Sequence, residues 1–562
     1  MPVSRDPHLT VEYATPNLRQ IESLSGKRTF QPERVIGCPE PTTTTSIYSD
    51  ISSEAESDLS TSTNATRSSR ESDSSHGSRD IKRRHKHVFH QQTPKEPLLQ
   101  FRYLVIVCLY LGPVCSGFLV GLLQAFNLAY SPYYSLEQPF PNWSIHVIFF
   151  SGLGSSLLLG IGLCFGKVKL LALVAVLQFL SSLLILFSTT SWWMVHVAEV
   201  LCGVSIGIHV PLQQIVTAES LSAFRRASIG ILSYILVHLG ILLAHLLSSV
   251  IVVQALAIVN LVALILNFLS SGFAHPETPR FHFDRVERSK CVNALQWLRG
   301  KSSDIGFEYE ELAHNLSILA TPSFNRRERL NSLIKSRSVY QPLLTSVTIL
   351  ILSVACGYLP ITFLFITNFH LSVPKLDEDL RNLLLISNVL APCIPLFLID
   401  RLGRKLLLLI STALMAVSMT FLALLAHMEP DITLFQVKYT AIVASAVFLL
   451  SFQVGLGPLA WILAMELIPG SLLPWAVPVV SSTWWILGLV FTLTMRPVFD
   501  TIGVPGFCTI FAVVSGLTYG FVLEWIPDYR EVSLEEIERF FRKYDQRKLT
   551  LDISSATERN VA

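Results

Sequence analysis

From residue 103 to residue 525, long apolar runs alternate with short polar interruptions. A helix needs about 20 apolar residues to cross the hydrocarbon core of a bilayer. Runs of that kind lie near 103–124, 145–165, 168–188, 193–215, 229–250, 254–274, 343–368, 382–399, 406–427, 438–463, 475–497 and 506–525. They predict an all-α membrane protein with twelve transmembrane helices in two sets of six. Spans four and ten have blurred ends, because both run into charged residues. On this pattern the chain divides into a tail over 1–97, a six-helix bundle over 98–274, a helical linker over 275–341, a second six-helix bundle over 342–526 and a second tail over 527–562.

The interruptions carry the charge, and its sign alternates. IKRRHKH (81–87) precedes the first span, GKVK (166–169) follows the second, FRR (224–226) the fourth and DRLGRK (400–405) the eighth. The loops between them, such as SPYYSLEQPFPNWS and HLSVPKLDEDLR, are acidic or neutral on balance. Basic loops remain on the cytoplasmic side, so both termini and the linker are expected there. NWS (142–144) then makes Asn142 a glycosylation acceptor on the outer side, while the triplets at Asn64 and Asn315 are expected to stay bare. The plasma membrane is the expected host.

Composition sharpens this picture in two places. Only 15% of the 562 residues are charged and 51% are hydrophobic, whereas soluble proteins carry about 25% charge. A net charge of +2 gives no reason to expect a nucleic-acid partner. The first tail is different material, Ser- and Thr-rich with few aliphatic residues. It cannot bury enough apolar surface to offset its ordering entropy. Disorder is expected of it, with candidate phosphorylation sites and cytoplasmic partners; a solvated tail without a required role is the alternative. It lacks the basic start and apolar core of a cleavable signal, so the first span is expected to act as its own insertion signal. Seven of the nine cysteines lie inside apolar runs, where Cys behaves as a small hydrophobe and not as a disulfide framework.

The two halves repeat each other. FGKVKLLAL (165–173) parallels LGRKLLLLI (402–410), AES after span four parallels AMEL after span ten, and PETPR (276–280) parallels PDYR (527–530). Gly166 and Gly403, Glu219 and Glu466, and the two prolines are offset by 237, 247 and 251 residues. Parallel six-helix repeats with a solute held between them at midplane are a transporter architecture. A charge at a helix centre costs about 2.5–3.5 kcal/mol, so DRLGRK is expected at the membrane surface, with Gly403 allowing a tight turn. Its charges are expected to form a network with Glu219, Glu466 and Glu277 that opens as the halves rock; a turn that only sets topology is the alternative.

These stretches resemble the sugar porter family of the major facilitator superfamily, which includes the facilitative glucose transporters. DRLGRK resembles the family's acidic-Arg-x-Gly-Arg-Arg turn, PETPRF (276–281) its Pro-Glu-Ser-Pro-Arg signature, and ALQWLRG (294–300) the Leu-Arg-Gly closing its first cytoplasmic helix. GLGPLAWILAMEL (455–467) is similar to the Gly-Pro-x-Pro-Trp…Glu segment of span ten, IPDYREVSLEEIE (526–538) to its C-terminal signature, and GFLVGLLQAF (117–126) faintly to its first-span glycine motif. The resemblance runs from about residue 100 to 545 and implies the major facilitator fold. It also implies alternating-access facilitated diffusion of a sugar or sugar-like polyol, without a cofactor or a metal.

Carried over position by position, the resemblance implies a solute site of Gln124, Tyr234, Asn388, Gln453, Trp461 and Trp485. It implies gating charges at Glu199, Glu219, Arg226, Glu277, Arg280, Asp400, Arg401, Arg404, Lys405 and Glu466. The departures matter as much. Tyr234 replaces a Gln in span five, and the span-seven Gln-Gln-x-x-Gly-x-Asn becomes SVACGYL (353–359), keeping only Gly357. Each desolvated hydroxyl without a partner costs about 1–3 kcal/mol, so the lost amides point to a less polar solute or a weaker site. A non-transporting nutrient sensor on the same scaffold is the alternative. Glu199 stands where span four normally has an Arg, and Leu473 replaces the Arg that would answer Glu466, so a rebuilt Glu199–Lys167 network is expected. Leu119 occupies the position of the Asp found in proton-coupled members. His196, His209, His238 and His245 are intramembrane ionisable groups, read first as snorkelling or hydrogen-bonded. Uncoupled diffusion is favoured. No phosphate loop and no zinc-binding H-E-x-x-H are present, so no enzyme is expected.

Overall fold

Within a bilayer every backbone polar group must be satisfied inside the protein, and the described residues meet this demand with helices. The computed structural model describes residues 101–134, 143–188, 193–222, 225–300, 337–362, 374–428 and 435–527, with scattered positions in 305–313 and 534–541. The first half comprises α1 (Phe101–Tyr134), α2 (Trp143–Leu163), α3 (Lys167–Phe187), α4 (Trp193–Ser220), α5 (Arg226–Ser248) and α6 (Val253–Leu269). Two short linker helices follow, α7 (Pro279–Asp284) and α8 (Arg288–Arg299). The second half comprises α9 (Arg337–Ala355), α10 (Pro374–Leu390), α11 (Cys393–Met428), α12 (Phe435–Val454), α13 (Leu456–Leu467) and α14 (Leu473–Trp525). The first tail with its Ser-rich run lies outside the described residues, as do Asn64, Asn142 and Asn315.

Among the described residues, 11 segments are long and apolar enough to cross a membrane. One of them, Asn382–Met428, has 47 residues. At 1.5 Å per residue it would be about 70 Å long, more than twice the hydrocarbon thickness. It is two helices joined at Gly403, where the backbone leaves helical geometry. Twelve spans result, as the hydropathy pattern predicts. Gly166 and Gly403, paired by the repeat, have φ of 131° and 80°. Both occupy the left-handed region that glycine enters without a Cβ penalty, so the two halves make their tight turns by the same device.

Several boundaries differ from the hydropathy pattern. α1 runs on to Tyr134, and α4 to Ser220 beyond Glu219. Hydropathy marks where a helix leaves the hydrocarbon, whereas the helix itself continues for as long as its backbone bonds are satisfied. Span seven is broken at Gly357, and span ten is divided at Gly455 into α12 and α13. Within the halves α1 packs on α5, α2 and α3 on α4, and α11 and α9 on α14. Between the halves α2 packs on α14, α5 on α10 and α11, and α4 on α13.

The linker holds one end of the first half by capping helix termini, where the first N–H and last C=O groups lack intrahelical partners. Glu277 accepts hydrogen bonds from the backbone N–H groups of Lys167 (2.9 Å), Val168 (3.1 Å) and Lys169 (2.9 Å) at the start of α3. Arg285 donates to the Cys164 carbonyl just after α2 (2.5 Å), and Arg299 to the Ser220 carbonyl at the end of α4 (3.0 Å). The signs are right. An anion sits at a helix N-terminus and cations sit at C-termini, as the helix dipole favours.

Candidate functional site

Charged residues gather at the end that carries Gly166 and Gly403, hereafter the charged end. Glu219 and Glu466 each lie in the last turn of a helix, where the dipole disfavours a carboxylate. Both are buried, so each needs cationic or hydrogen-bonding partners. The repeat supplies one cation to each from the residue after the turn glycine. Lys167 Nζ donates to both Glu219 oxygens (2.5 and 2.6 Å), and Arg404 donates to Glu466 Oε1 (2.9 Å). Glu466 gains a second cation from the other half, since Arg226 donates to the same oxygen at 2.9 Å. Contrary to the expectation from sequence, Leu473 therefore does not leave Glu466 unanswered. By the repeat it matches Arg226, so the missing Arg is the one for Glu219, to which the linker's Thr278 Oγ1 donates at 2.8 Å. Ser228 reaches across to both Asp400 oxygens (3.1 Å). Arg280 is buried against Gly470, where any Cβ would collide with its guanidinium. Lys405 donates to the Leu523 carbonyl (2.8 Å), and Arg401 is exposed.

The expected Glu199–Lys167 network is not what the chain builds. Glu199 bonds His196 (2.9 Å) and Asn127 (3.1 Å). It lies 20 residues before Glu219 on α4, about 30 Å away along the axis. Lys167 is engaged by Glu219 instead. Glu199 therefore belongs to the opposite end of the first half.

Halfway through the membrane, a polar cluster joins the halves. Tyr234 lies eight residues past Arg226 and Asn388 twelve before Asp400, or about 12–18 Å from the charged end. Gln453, fully buried, is its hub. Tyr234 donates to Gln453 Oε1 (2.6 Å), while Gln453 Nε2 donates to Tyr358 Oη and to Asn388 Oδ1 (2.9 Å each). Tyr358 is a member that sequence reasoning missed. It follows Gly357, whose φ of 88° turns the chain so that the next residue enters the cluster. The signal is the phenol beside Gly357 in SVACGYL, at a position the family motif leaves unspecified.

A second group, drawn from α2, α13 and α14, is an aromatic wall. Phe149 of α2 stacks on Trp484 and meets Trp485 edge-on, at 5.8 and 5.5 Å between ring centroids. Trp461 packs on Trp484 at 5.7 Å. Among the described residues, the buried Trp485 Nε1 has no hydrogen-bond partner. Gln124 is not in the cluster. Its Oε1 meets His245 Nε2 at 3.0 Å, eleven residues beyond Tyr234 on α5 and so about 16 Å higher. Sequence reasoning also passed over Gln213 on α4, buried with neither amide atom bonded among the described residues. His209, one turn away, bonds Ser116 at 2.7 Å, and Gln178 donates to the same hydroxyl at 2.6 Å.

Comparison with known proteins agrees with this architecture. Residues 104–541 match the family model for "Sugar (and other) transporter". The facilitated trehalose transporter Tret1 of Aedes aegypti is 28% identical over 365 residues, which is 64% of this chain and 44% of that protein. The Anopheles gambiae Tret1 is 28% identical over 64% of this chain and 45% of that protein. This chain therefore spans less than half the length of those two relatives. A Tret1-2 homologue of Drosophila simulans is 28% identical over 65% of this chain and 75% of that protein. Among solved structures, the proton:xylose symporter XylE bound to 6-bromo-6-deoxy-D-glucose aligns with a TM-score of 0.65 at 16% identity, covering 78% of this chain and 99% of that one. A double-Trp variant of XylE aligns at 0.67 and 16%. At that identity the likeness speaks for the fold, a twelve-helix major facilitator architecture.

Proposed function

Because the chain belongs to the sugar (and other) transporter family, we propose that it carries a sugar or sugar-like polyol across a membrane by alternating access. The observation that carries this reading is Glu466, held at once by Arg404 of its own half and Arg226 of the other. A joint that only built the fold would need no such graded bond. When the halves separate at the charged end, Arg226 leaves and Arg404 stays, so no buried carboxylate is stranded without a partner. The Ser228–Asp400 contact opens in the same motion.

The mid-depth site suits a polyol in kind. Its aromatic wall offers flat faces to the apolar side of a sugar ring. Trp485 offers an open N–H donor, and Gln453, Asn388 and two phenols offer exchangeable hydrogen bonds. The names of the insect relatives support a sugar as solute. We place the charged end in the cytoplasm on the strength of the basic loops, with both termini and the linker on that side and Asn142 glycosylated outside. The plasma membrane is the proposed host, and the Ser-rich tail is then within reach of cytoplasmic partners. The division at 98–274, 275–341 and 342–526 belongs to the same proposal, as does uncoupled diffusion.

Uptake into proteoliposomes tests it, with trehalose, glucose, fructose and inositol as solutes and Arg404→Ala as the matched control. Uptake of at least one sugar, reduced at least about tenfold in Arg404→Ala, is the expected result. Silence across the panel from folded, inserted protein would overturn the reading.

A further inference from the structure

We propose that the Tyr234–Gln453 hydrogen bond stands in for a solute hydroxyl, so that the carrier selects an alcohol at one position of its solute and parts its halves by accepting it. The proposal rests on the sugar-carrier reading and adds the chemistry of one contact and its coupling to rocking.

The argument begins with the proton inventory of a buried amide. Gln453 has two N–H donors and two acceptor lone pairs on Oε1, and it is fully buried. Its N–H groups go to Tyr358 and Asn388, both in its own half. Its oxygen accepts from Tyr234, the member of the cluster that comes from the other half. His238 Nδ1 meets the Tyr234 carbonyl at 3.0 Å, while the Tyr234 phenol is given to Gln453. A solute that enters between Tyr234 and Gln453 must replace the bond it breaks. It has to donate to Gln453 Oε1 and accept from the Tyr234 hydroxyl.

One alcohol oxygen does both. An ether or carbonyl accepts from Tyr234 but leaves Gln453 Oε1 bare, and a deoxy position leaves both groups bare. Insertion also changes the geometry. A single bond of 2.6 Å becomes two bonds in series, which sets the two protein oxygens about 5 Å apart. That displacement pushes α5 away from α12. Arg226 and Ser228 lie about two turns down α5 and bind Glu466 on α13 and Asp400 on α11, so all three of these crossing contacts of α5 are loaded together.

The test uses the full chain and two variants, Tyr234→Phe and Tyr358→Phe. Nitroxide labels at Val250→Cys and Met428→Cys, both well exposed, report the separation of the halves at the end opposite the charges. In solute-free protein, Tyr234→Phe is expected to shift the two-state population about fivefold, the weight of one hydrogen bond. Tyr358→Phe keeps the crossing bond and is expected to leave the distances alone. In competition for trehalose uptake, a monodeoxy trehalose lacking the selected hydroxyl forfeits two bonds in the wild type and one in Tyr234→Phe. Its penalty relative to trehalose should therefore fall about fivefold in the variant.

Sugar transport with unshifted distances and an unchanged deoxy penalty would overturn the proposal and leave the carrier reading intact. Shifted distances without transport of any sugar by the wild type would overturn the hydroxyl assignment together with the carrier reading, leaving the crossing bond as a latch only.

Discussion

A carboxylate in the last turn of a helix faces the negative end of the dipole, and Glu466 does so with its side chain 2% exposed. Two guanidinium groups offset that position, so the substitutions around it form an ordered series. Glu466→Gln leaves Arg226 and Arg404 buried without their anion and should cost about 3–5 kcal/mol. Arg404→Ala leaves Glu466 with Arg226 and should cost less. Thermal melts of the purified protein in one detergent check the order, and equal losses would contradict it. Gly357→Ala tests the backbone. Its φ of 88° is unfavourable for any residue with a Cβ, and the added carbon would lie 2.3 Å from the Phe511 ring. A loss of at least about 1–3 kcal/mol is expected, with solute affinity falling as Tyr358 is displaced. At this scale the sequence was legible where charge and glycine recur with the repeat. It was opaque elsewhere. Tyr358 stands at the unspecified position between Gly357 and the lost Asn, and the partners of Glu199 depend on depth along α4, which residue matching does not measure.

Helices were legible from hydropathy because lipid enforces the rule that an apolar run must be a helix. Their ends and breaks were not. The Gly455 break depends on a tertiary partner, Ser411, which accepts from the Leu456 N–H and fills the space a Cβ at 455 would need. The linker was similarly hidden, since its work is done through main-chain groups that sequence patterns do not display. Glu277→Ala removes three bonds from the start of α3 and should cost about 0.5–2 kcal/mol, as loss of a helix cap does. Hydrogen exchange at Lys167–Lys169 should rise with it. Cys291 on α8 offers a second measurement. Burial pushes its thiol up to about 11, with Glu308 and Asp284 adding to the effect. Since the thiolate is the reactive form, a maleimide at neutral pH should spare Cys291 in the native protein and label it in an Arg285→Ala/Arg299→Ala variant. Equal labelling in both would mean that the caps do not hold the linker down.

At the scale of the molecule, the polar bonds already described between the two halves fall at two depths. Ser228–Asp400 and Arg226–Glu466 close the charged end, while Tyr234–Gln453 ties the centre. A disulfide between Ser228→Cys and Asp400→Cys should hold the charged end shut and abolish exchange of solute, with dithiothreitol restoring it. Exchange that survives the disulfide would mean that the halves do not part there.

The linker caps have a consequence for how the protein is made. Glu277, Arg285 and Arg299 terminate α2, α3 and α4, yet all three lie after α6 in the chain. During synthesis, six spans have entered the membrane before the residues that finish three of them leave the ribosome. Until then the start of α3 and the ends of α2 and α4 depend on water for their backbone partners. The first half is thus completed from behind, and the newborn chain is most vulnerable in the interval between the sixth span and Gly300.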